Sequence, residues 1–177
     1  MSSNISKILI TGPEATGKSY LCKALAQHFN SVWNPEFARK FLAQKDAAYT
    51  QKDLDYILEQ QMETENQAID KANRFLFCDT GPEVIKIWSE HKYNSSSDLI
   101  NATLNTHHYD LTLLLYPDLP WEPDPLRETP DETERLLLFH QYEELLLSLK
   151  RNFKVIKGKE THRTQAAIQH ITTFFNR

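Results

Sequence analysis

Short apolar runs alternate along the chain with stretches whose apolar residues recur at helical spacing. Two nearly all-apolar runs, 75–78 and 111–115, are typical of buried parallel strands. Shorter runs at 8–10, 31–34 and 155–156 predict three more strands. Because strands alternate with helices, the pattern predicts a single-domain α/β fold over 1–177, with a parallel sheet and helices on both faces.

The predicted helices fill the segments between these strands. The first helix follows the glycine-containing loop after the strand 8–10. The others are expected at 35–39, 50–72, 84–91, 98–105, 129–150 and around 167–175. Pro35 fits the first turn of its helix, and Thr129 followed by Pro130 is typical of a capped helix start. The segment 117–130 holds five prolines, so we predict a stiff loop there.

A residue with distinctive chemistry follows each predicted strand. These residues are Gly12, Glu36, Asp79, Pro117 and Gly158. The carboxyl ends of parallel strands meet at one edge of a sheet, and ligands of such folds bind at that edge. We therefore expect the functional site to be assembled there.

Residues 12–19 match the phosphate-loop pattern Gly-x-x-x-x-Gly-Lys-Ser in full, between a predicted strand and a predicted helix. The loop N–H groups and the helix N-terminus supply positive potential, Lys18 adds a mobile charge, and Ser19 is expected to ligate Mg²⁺. The expected contacts of ATP in this region are Gly12, Pro13, Glu14, Ala15, Thr16, Gly17, Lys18, Ser19 and Tyr20. A tight glycine turn without a ligand is the alternative.

Asp79 ends an apolar strand, where a carboxylate can hold magnesium directly or through water. A helix N-cap is the alternative role, and the two roles are compatible. Thr80 follows in place of the Glu usual in motor ATPases. The sequence also lacks the Asn-Lys-x-Asp element of guanine recognition, and Pro82 stands three residues after Asp79 instead of Gly, so a regulatory GTPase is not expected.

Charged residues flank the predicted phosphate loop in two further segments. Glu36 and Arg39 lie one helical turn apart and are candidates for orienting an acceptor hydroxyl and a phosphate, with a surface ion pair as the alternative. In the proline-rich segment, Arg127 is expected to neutralise charge on the transferred phosphoryl group. Arg135 is interpreted as a solvated helix charge. Trp88 is the aromatic residue expected to contact the acceptor, with core packing as the alternative.

Composition excludes several classes of partner. The chain has 177 residues and a net charge of −4, so neither nucleic acid nor an anionic membrane is expected to bind it. Its longest strongly apolar run, 111–116, is far shorter than the ~18 residues of a membrane span. Residues 1–4 lead straight into a strand without the features of a signal peptide, so we expect a cytoplasmic location. Cys22 and Cys78 are expected to be buried free thiols.

These stretches together resemble the nicotinamide riboside kinase domain of the bifunctional NAD-biosynthesis regulators and related single-domain P-loop proteins. The resemblance spans nearly the whole chain. It is carried by the loop 12–19, Pro-Glu-Phe-Ala-Arg at 35–39, Asp79-Thr80, the run 109–115, and Pro120-Trp121 with Asp124-Pro125-Leu126-Arg127. Tyr20 stands where the family commonly has Thr, and Pro125 where it commonly has Gly.

What the resemblance implies is transfer of the γ-phosphate of ATP to the 5′-hydroxyl of nicotinamide riboside, giving nicotinamide mononucleotide. The expected catalytic residues are then Lys18, Glu36 and Arg127, and the expected acceptor contacts are Glu36, Arg39, Asp79 and Trp88. Arg127 and Arg163 are added to the expected ATP contacts, and about 117–135 is treated as a lid segment. Two alternatives stay open: a kinase for another nucleoside or nucleotide, and an ATP-dependent binding module.

Overall fold

The structure is a computed structural model that describes residues 5–45 and 48–176. Residues 1–4, which bear on the expected location, lie outside the described residues. The described elements run in the order β1 (Ser6–Thr11), α1 (Lys18–His28), β2 (Val32–Asn34), α2 (Phe37–Leu42), α3 (Gln51–Ile69), β3 (Phe75–Asp79), α4 (Pro82–Tyr93), α5 (Asp98–Thr106), β4 (Leu111–Leu115), α6 (Glu132–Ser148), β5 (Phe153–Ile156) and α7 (Glu160–Phe175). Among the described helices, none combines the length and the apolar character that crossing a membrane requires.

The five described strands form one sheet in the order β2-β3-β1-β4-β5, and every pair is parallel. Strand β1 lies at the centre, where Ile8 is in register with Phe77 of β3 and Leu111 of β4. The predicted parallel α/β sheet is therefore confirmed. Its carboxyl edge collects the ends of all five strands, which is where the sequence places the site.

Alternate residues of the central strands face two helical layers. Ile8 and Ile10 of β1 join a core with α1 and α7. Leu9 faces the opposite side, where Leu114 of β4 packs with α4 and α6. Cys22 and Cys78 are both buried and free, so the prediction for the two thiols is confirmed.

The predicted start of α2 is wrong by two residues. The helix begins at Phe37 with Glu36 as its N-cap, so Pro35 precedes the helix and does not form its first turn. Because a residue before the helix takes extended geometry, Glu36 leaves β2 with a backbone that is not yet helical. This geometry places Glu36 between the sheet edge and the helix.

The predicted cap of α6 is also wrong. Asp131 is the N-cap, and its carboxylate accepts a hydrogen bond from the Glu134 N–H at 2.8 Å. Thr129 lies two residues before this cap, and its backbone N–H donates to the Glu14 carboxylate of the phosphate loop at 2.7 Å. A contact across more than a hundred residues therefore replaces the local capping pattern.

Two buried carboxylates, Glu65 in α3 and Glu83 in α4, have different electrostatic surroundings. Glu65 accepts from Lys7 Nζ at 3.1 Å and contacts His107 Nε2 at 2.9 Å. Burial raises the pKa of Glu65, but the hydrogen bonds and charges of His107 and Lys7 outweigh burial and lower the pKa. Both oxygens of Glu83 are buried and lack a hydrogen-bond partner among the other described residues. Burial therefore raises the pKa of Glu83, against the charge of Arg151, whose Nε is 3.8 Å away.

These two carboxylates should give opposite pH dependences of stability. Glu65 stabilises the fold above its ordinary pKa of 4.5 and loses that contribution as pH falls, so Glu65→Gln should destabilise by about 3 kcal/mol at pH 7 and less at pH 4. Glu83 destabilises the fold increasingly as pH rises above 4.5, because its buried carboxyl group resists ionisation. The unfolding temperature of Glu83→Gln minus that of the wild type should therefore increase from pH 4 to pH 8. Thermal unfolding of both variants across this range is the measurement. If the difference in unfolding temperature from the wild type changed with pH in the same direction for both variants, the opposite pKa shifts of Glu65 and Glu83 would be contradicted.

Candidate functional site

The phosphate loop leaves β1 and enters α1 through two glycines whose backbone other residues rarely adopt. Gly12 has a φ of +134°, and a Cβ there would lie 2.7 Å from the backbone oxygen of Leu115 in β4. Gly17 is the N-cap of α1 with a φ of 81°. The loop therefore packs directly on the end of β4 and turns into a helix N-terminus, which is the geometry that phosphate binding needs.

Two polar side chains of the loop, Thr16 and Lys18, donate to its own carbonyl groups. The Thr16 hydroxyl donates to the Pro13 carbonyl at 2.8 Å. Lys18 Nζ donates to the carbonyls of Gly12 at 3.0 Å and Pro13 at 2.8 Å. Because these acceptors are neutral, the ammonium keeps its full charge for an anionic ligand in the loop.

Asp79 lies beside the loop, at the end of the strand next to β1. It is 1% exposed, and its Oδ2 accepts from the Ser19 hydroxyl at 2.5 Å. The other carboxylate oxygen, Oδ1, is buried and has no hydrogen-bond partner among the described residues. A hydroxyl and a carboxylate oxygen with free coordination capacity are the oxygen donors that Mg²⁺ prefers, so the residues fit this ion. The alternative role as an N-cap does not apply, since Gly81 caps α4.

The backbone after Asp79 is strained. Thr80 is buried and has a φ of 72°, a conformation that is rare for a β-branched residue. Its N–H donates to the Ile10 carbonyl of β1 at 3.2 Å. This bond holds the turn after β3 against the strand that leads into the phosphate loop, so Asp79 and the loop keep a defined relation.

Glu36 and Arg39 both line the cavity above the phosphate loop but make different contacts. The half-buried Glu36 follows β2, one strand farther from the loop than Asp79. Burial raises the pKa of Glu36, and Asp79 adds to this, while Lys18 opposes it. Arg39 pairs with Asp124 of the lid segment at 3.0 Å. The ion pair of Arg39 with Asp124 thus reaches across to the lid, unlike the surface pair with Glu36 considered from the sequence.

The lid segment connects β4 to α6, and it is bonded to helix α2 and to the phosphate loop. Asp124 accepts from Arg39 of α2, and Glu14 of the phosphate loop accepts from the Trp121 indole at 3.1 Å. Arg127 lines the same cavity as the loop, and its Nη1 donates to the Glu122 carbonyl at 2.5 Å. The segment is thereby held over the loop.

Arg135 in α6 is not the solvated charge that the sequence suggested. It is 5% exposed, and its Nη1 donates to the carbonyls of Thr129 at 3.3 Å and Pro130 at 2.6 Å. These bonds fix the end of the lid segment on the helix. Neither carbonyl partner could be identified from helical periodicity, which describes α6 alone.

Arg163 in α7 contacts the phosphate loop from behind. It is 3% exposed, and its guanidinium donates to the carbonyls of Thr16, of Tyr116 at 3.0 Å and of Gly158 at 2.7 Å, and pairs with Asp118. The structure therefore places Arg163 as a brace between the loop and the ends of β4 and β5. Its expected contact with ATP stays a prediction.

Two adjoining cavities lie at the carboxyl edge of the sheet. The first, here named the loop cavity, has a volume of about 510 Å³ and contains residues 14–20, Glu36, Asp79 and Arg127. The second, the side cavity, has a volume of about 230 Å³ and is walled by Tyr49, Trp88, Leu138 and Tyr142. Of the residues expected to bind ATP or the acceptor, the cavities bring together all except Gly12, which packs against the end of β4, and Arg163, which contacts the loop from behind.

The side cavity presents aromatic faces, which sequence analysis found only in part. Trp88 was expected there, and it stacks with Tyr49 at 6.3 Å between ring centroids. Tyr49 was missed, because it precedes α3 in a segment without periodicity. Its hydroxyl donates to Glu128 of the lid segment at 3.3 Å, so the wall of the cavity is continuous with the lid.

Comparison with known proteins agrees with this architecture. A family model described as an AAA domain matches residues 7–163. The trifunctional NAD biosynthesis/regulator protein NadR of Escherichia coli is 24% identical over 162 residues, and that of Salmonella typhimurium is 25% identical over 160 residues. Each match covers 88% of this chain, which spans only 38% of the length of these curated relatives.

Solved structures with the same fold include both a regulator and single-domain kinases. The crystal structure of a NadR protein in complex with NR has a TM-score of 0.82 at 18% identity and covers 98% of this chain and 52% of that chain. Thymidylate kinase from Ehrlichia chaffeensis has a TM-score of 0.65 at 14% identity, and the match covers 94% of this chain and 98% of that chain. The resemblance is confirmed, and the fold is the P-loop fold of nucleoside and nucleotide kinases.

Proposed function

Since this chain belongs to the AAA domain family, we propose that it is an ATP-dependent kinase that transfers the γ-phosphate to the 5′-hydroxyl of a nucleoside. The acceptor is nicotinamide riboside, and the product is nicotinamide mononucleotide. The similarity to NadR proteins, one of them solved in complex with NR, supports this choice of acceptor.

One observation carries the proposal: the loop cavity and the side cavity share a wall beneath the same lid segment. Glu14, Leu42, Trp88 and Leu126 line both. ATP phosphates in the phosphate loop and a nucleoside in the side cavity would therefore meet at this wall. Holding both reactants in one orientation is the main requirement of phosphoryl transfer.

The residues divide the chemistry among them. The acceptor oxygen attacks the γ-phosphorus, the bond from that phosphorus to the β–γ bridging oxygen breaks, and ADP leaves. Glu36 orients the attacking hydroxyl and takes its proton. Lys18 and Arg127 neutralise charge on the transferred phosphoryl oxygens. Ser19 and Asp79 would hold Mg²⁺, which supplies further charge neutralisation when bound.

The charge of the side cavity favours a cationic acceptor. The nicotinamide ring of the riboside carries a positive charge, whereas the common nucleosides are neutral. Trp88 and Tyr49 offer aromatic faces, on which a cation is favoured. The Glu14 carboxylate at the shared wall pairs with no cation among the described residues, while Lys45 of the same cavity is already paired with Asp53 at 3.2 Å. Among the described residues, the charge at the wall of the side cavity that no ion pair neutralises is therefore the negative charge of Glu14.

A screen of ADP release with ATP, Mg²⁺ and different acceptors tests the proposal. We expect kcat/KM to be highest for nicotinamide riboside and about tenfold lower for its reduced form, in which the ring has the same substituents but no charge. Thymidine, deoxyadenosine and thymidylate, whose bases are neutral, are the comparisons. Absence of acceptor-dependent ADP release with every compound would contradict the kinase and favour an ATP-dependent binding module.

A kinase for another nucleoside or for a nucleotide is the second candidate. Thymidylate kinase and a deoxyadenosine kinase from M. mycoides are matched over 98% and 99% of their length, so their whole fold corresponds to this chain. A NadR protein is matched over only 52%. Equal or higher kcat/KM for thymidine, deoxyadenosine or thymidylate in the same screen would select this candidate.

A further inference from the structure

The side chain of Glu14, the third residue of the phosphate loop, is bonded to the lid segment. Its Oε1 accepts from the indole N–H of Trp121 at 3.1 Å and from the backbone N–H of Thr129 at 2.7 Å. Its Oε2 accepts from the backbone N–H of Glu128 at 2.9 Å. The donors flank the stretch 121–129, so one carboxylate holds both ends of this stretch on the phosphate loop.

These bonds are of the strong kind. An ionised carboxylate is the acceptor in all three, which makes each about twice as strong as a bond between neutral groups. Two of the donors are the backbone amides of the consecutive residues Glu128 and Thr129, so the carboxylate holds the backbone of the lid segment and not only a side chain. The next residue, Pro130, has no N–H, and its carbonyl is held by Arg135. The end of the lid is thus fixed from both sides.

Arg127 immediately precedes the two tied amides. Its side chain lines the loop cavity together with Lys18 and is otherwise held by the Glu122 carbonyl within the same segment. The backbone of Arg127 therefore follows the position of Glu128, which Glu14 determines. If the bond between Glu14 and the Glu128 amide were lost, Arg127 could shift relative to the phosphates that the loop binds.

We propose that Glu14 is a positioning residue that couples the phosphate loop to the lid, through its three hydrogen bonds to Trp121, Glu128 and Thr129. It holds the lid segment closed and sets Arg127 over the phosphate loop. The effect on catalysis rests on the proposed kinase function, whereas the coupling itself is a property of the fold. The two parts are therefore tested by different measurements.

The coupling is tested by hydrogen exchange of the full chain without ligands. Glu14→Ala removes all three bonds, and we expect the amides of Glu128 and Thr129 to exchange at least on the order of tenfold faster. Glu14→Gln keeps Oε1 as an acceptor and should have a smaller effect. Glu132→Gln, an equivalent change at an exposed position at the start of α6, is the matched control and should leave these amides unchanged.

Trp121→Phe provides a second variant that leaves the phosphate loop intact. It deletes one donor from the lid side, so the same two amides should exchange faster by a smaller factor than in Glu14→Ala. Unchanged exchange of Glu128 and Thr129 in Glu14→Gln and Trp121→Phe would overturn the coupling, whether or not the protein phosphorylates a nucleoside.

The effect on catalysis is tested by a double-mutant cycle with Arg127→Ala. If Glu14 acts through Arg127, Glu14→Gln should lower kcat by about tenfold in the wild type and by less than about twofold in the Arg127→Ala background. A general loss of structure would lower both backgrounds equally. Equal losses would therefore overturn the role of Glu14 in placing Arg127, while the exchange measurement continues to decide the coupling.

Discussion

Lys18→Ala is expected to lower the rate of phosphoryl transfer by at least about 10²–10³-fold while the protein stays folded. Lys18 Nζ lies on the carbonyls of Gly12 and Pro13, at 3.0 Å and 2.8 Å, in the mouth of the phosphate loop. A phosphate in the loop offers stronger, anionic acceptors, so the ammonium should transfer to it. Its charge then opposes the charge that spreads over the phosphoryl oxygens during transfer.

The fold should tolerate this substitution because the Lys18 side chain belongs to a cavity wall and not to the hydrophobic core. Acceptor-dependent ADP release is the measurement, and the unfolding temperature reports on the fold. Lys52→Ala, which removes an exposed lysine from the first turn of α3, is the control and should keep full activity. Near-normal turnover in folded Lys18→Ala would contradict the kinase proposal.

The sheet could be predicted from the sequence because buried parallel strands leave a strong signal. The run 75–78 is apolar throughout and 111–115 at every position but Thr112, since helices cover both faces of the sheet. Helix starts were less predictable. The cap of α6 was misplaced by two residues, since the helix begins at Glu132, and the backbone N–H of Thr129 bonds instead to Glu14, 115 positions earlier in the chain. Local propensity cannot anticipate such a bond.

The candidate site could be predicted where a motif carries its own spacing. The phosphate loop is one continuous segment, and Asp79 was found because it follows a buried strand. Arg135 was interpreted as a solvated helix charge, yet it is buried and bonds to carbonyls of the lid segment. The lid has neither apolar periodicity nor regular structure. Its contacts with Glu14, Arg39 and Tyr49 follow from the three-dimensional arrangement of loops and not from any local pattern.

Asp79→Asn is expected to raise the Mg²⁺ concentration needed for half-maximal activity. Asp79 bonds to Ser19 at 2.5 Å and has a second, buried oxygen without a partner among the described residues, so both oxygens suit a shared ion site. The amide of Asn lacks the negative charge that holds a divalent cation. Activity as a function of Mg²⁺ concentration is the measurement, and an unchanged requirement would remove Asp79 from the metal site.

Glu36→Gln is expected to lower kcat by about 10²-fold or more with little change in the Mg²⁺ requirement. Glu36 follows the outer strand β2, which lies beyond the strand of Asp79, and it lines the same cavity as the phosphate loop. Burial raises the pKa of its carboxyl group, which brings the proton affinity of this base closer to the working pH. The unprotonated form is the active one, so kcat of the wild type should rise with pH through the pKa of Glu36.

In Glu36→Gln this rise of kcat with pH should be lost, because the amide cannot titrate. The pH profile thus separates a base from a residue that only supports the cavity wall, whose replacement would lower kcat without changing the profile. Asp79→Asn is the matched comparison, since it also removes one charge from the loop cavity. If Glu36→Gln raised the Mg²⁺ requirement and Asp79→Asn did not, the base and the metal ligand would have to be exchanged. Wild-type kcat in Glu36→Gln would exclude Glu36 from proton transfer.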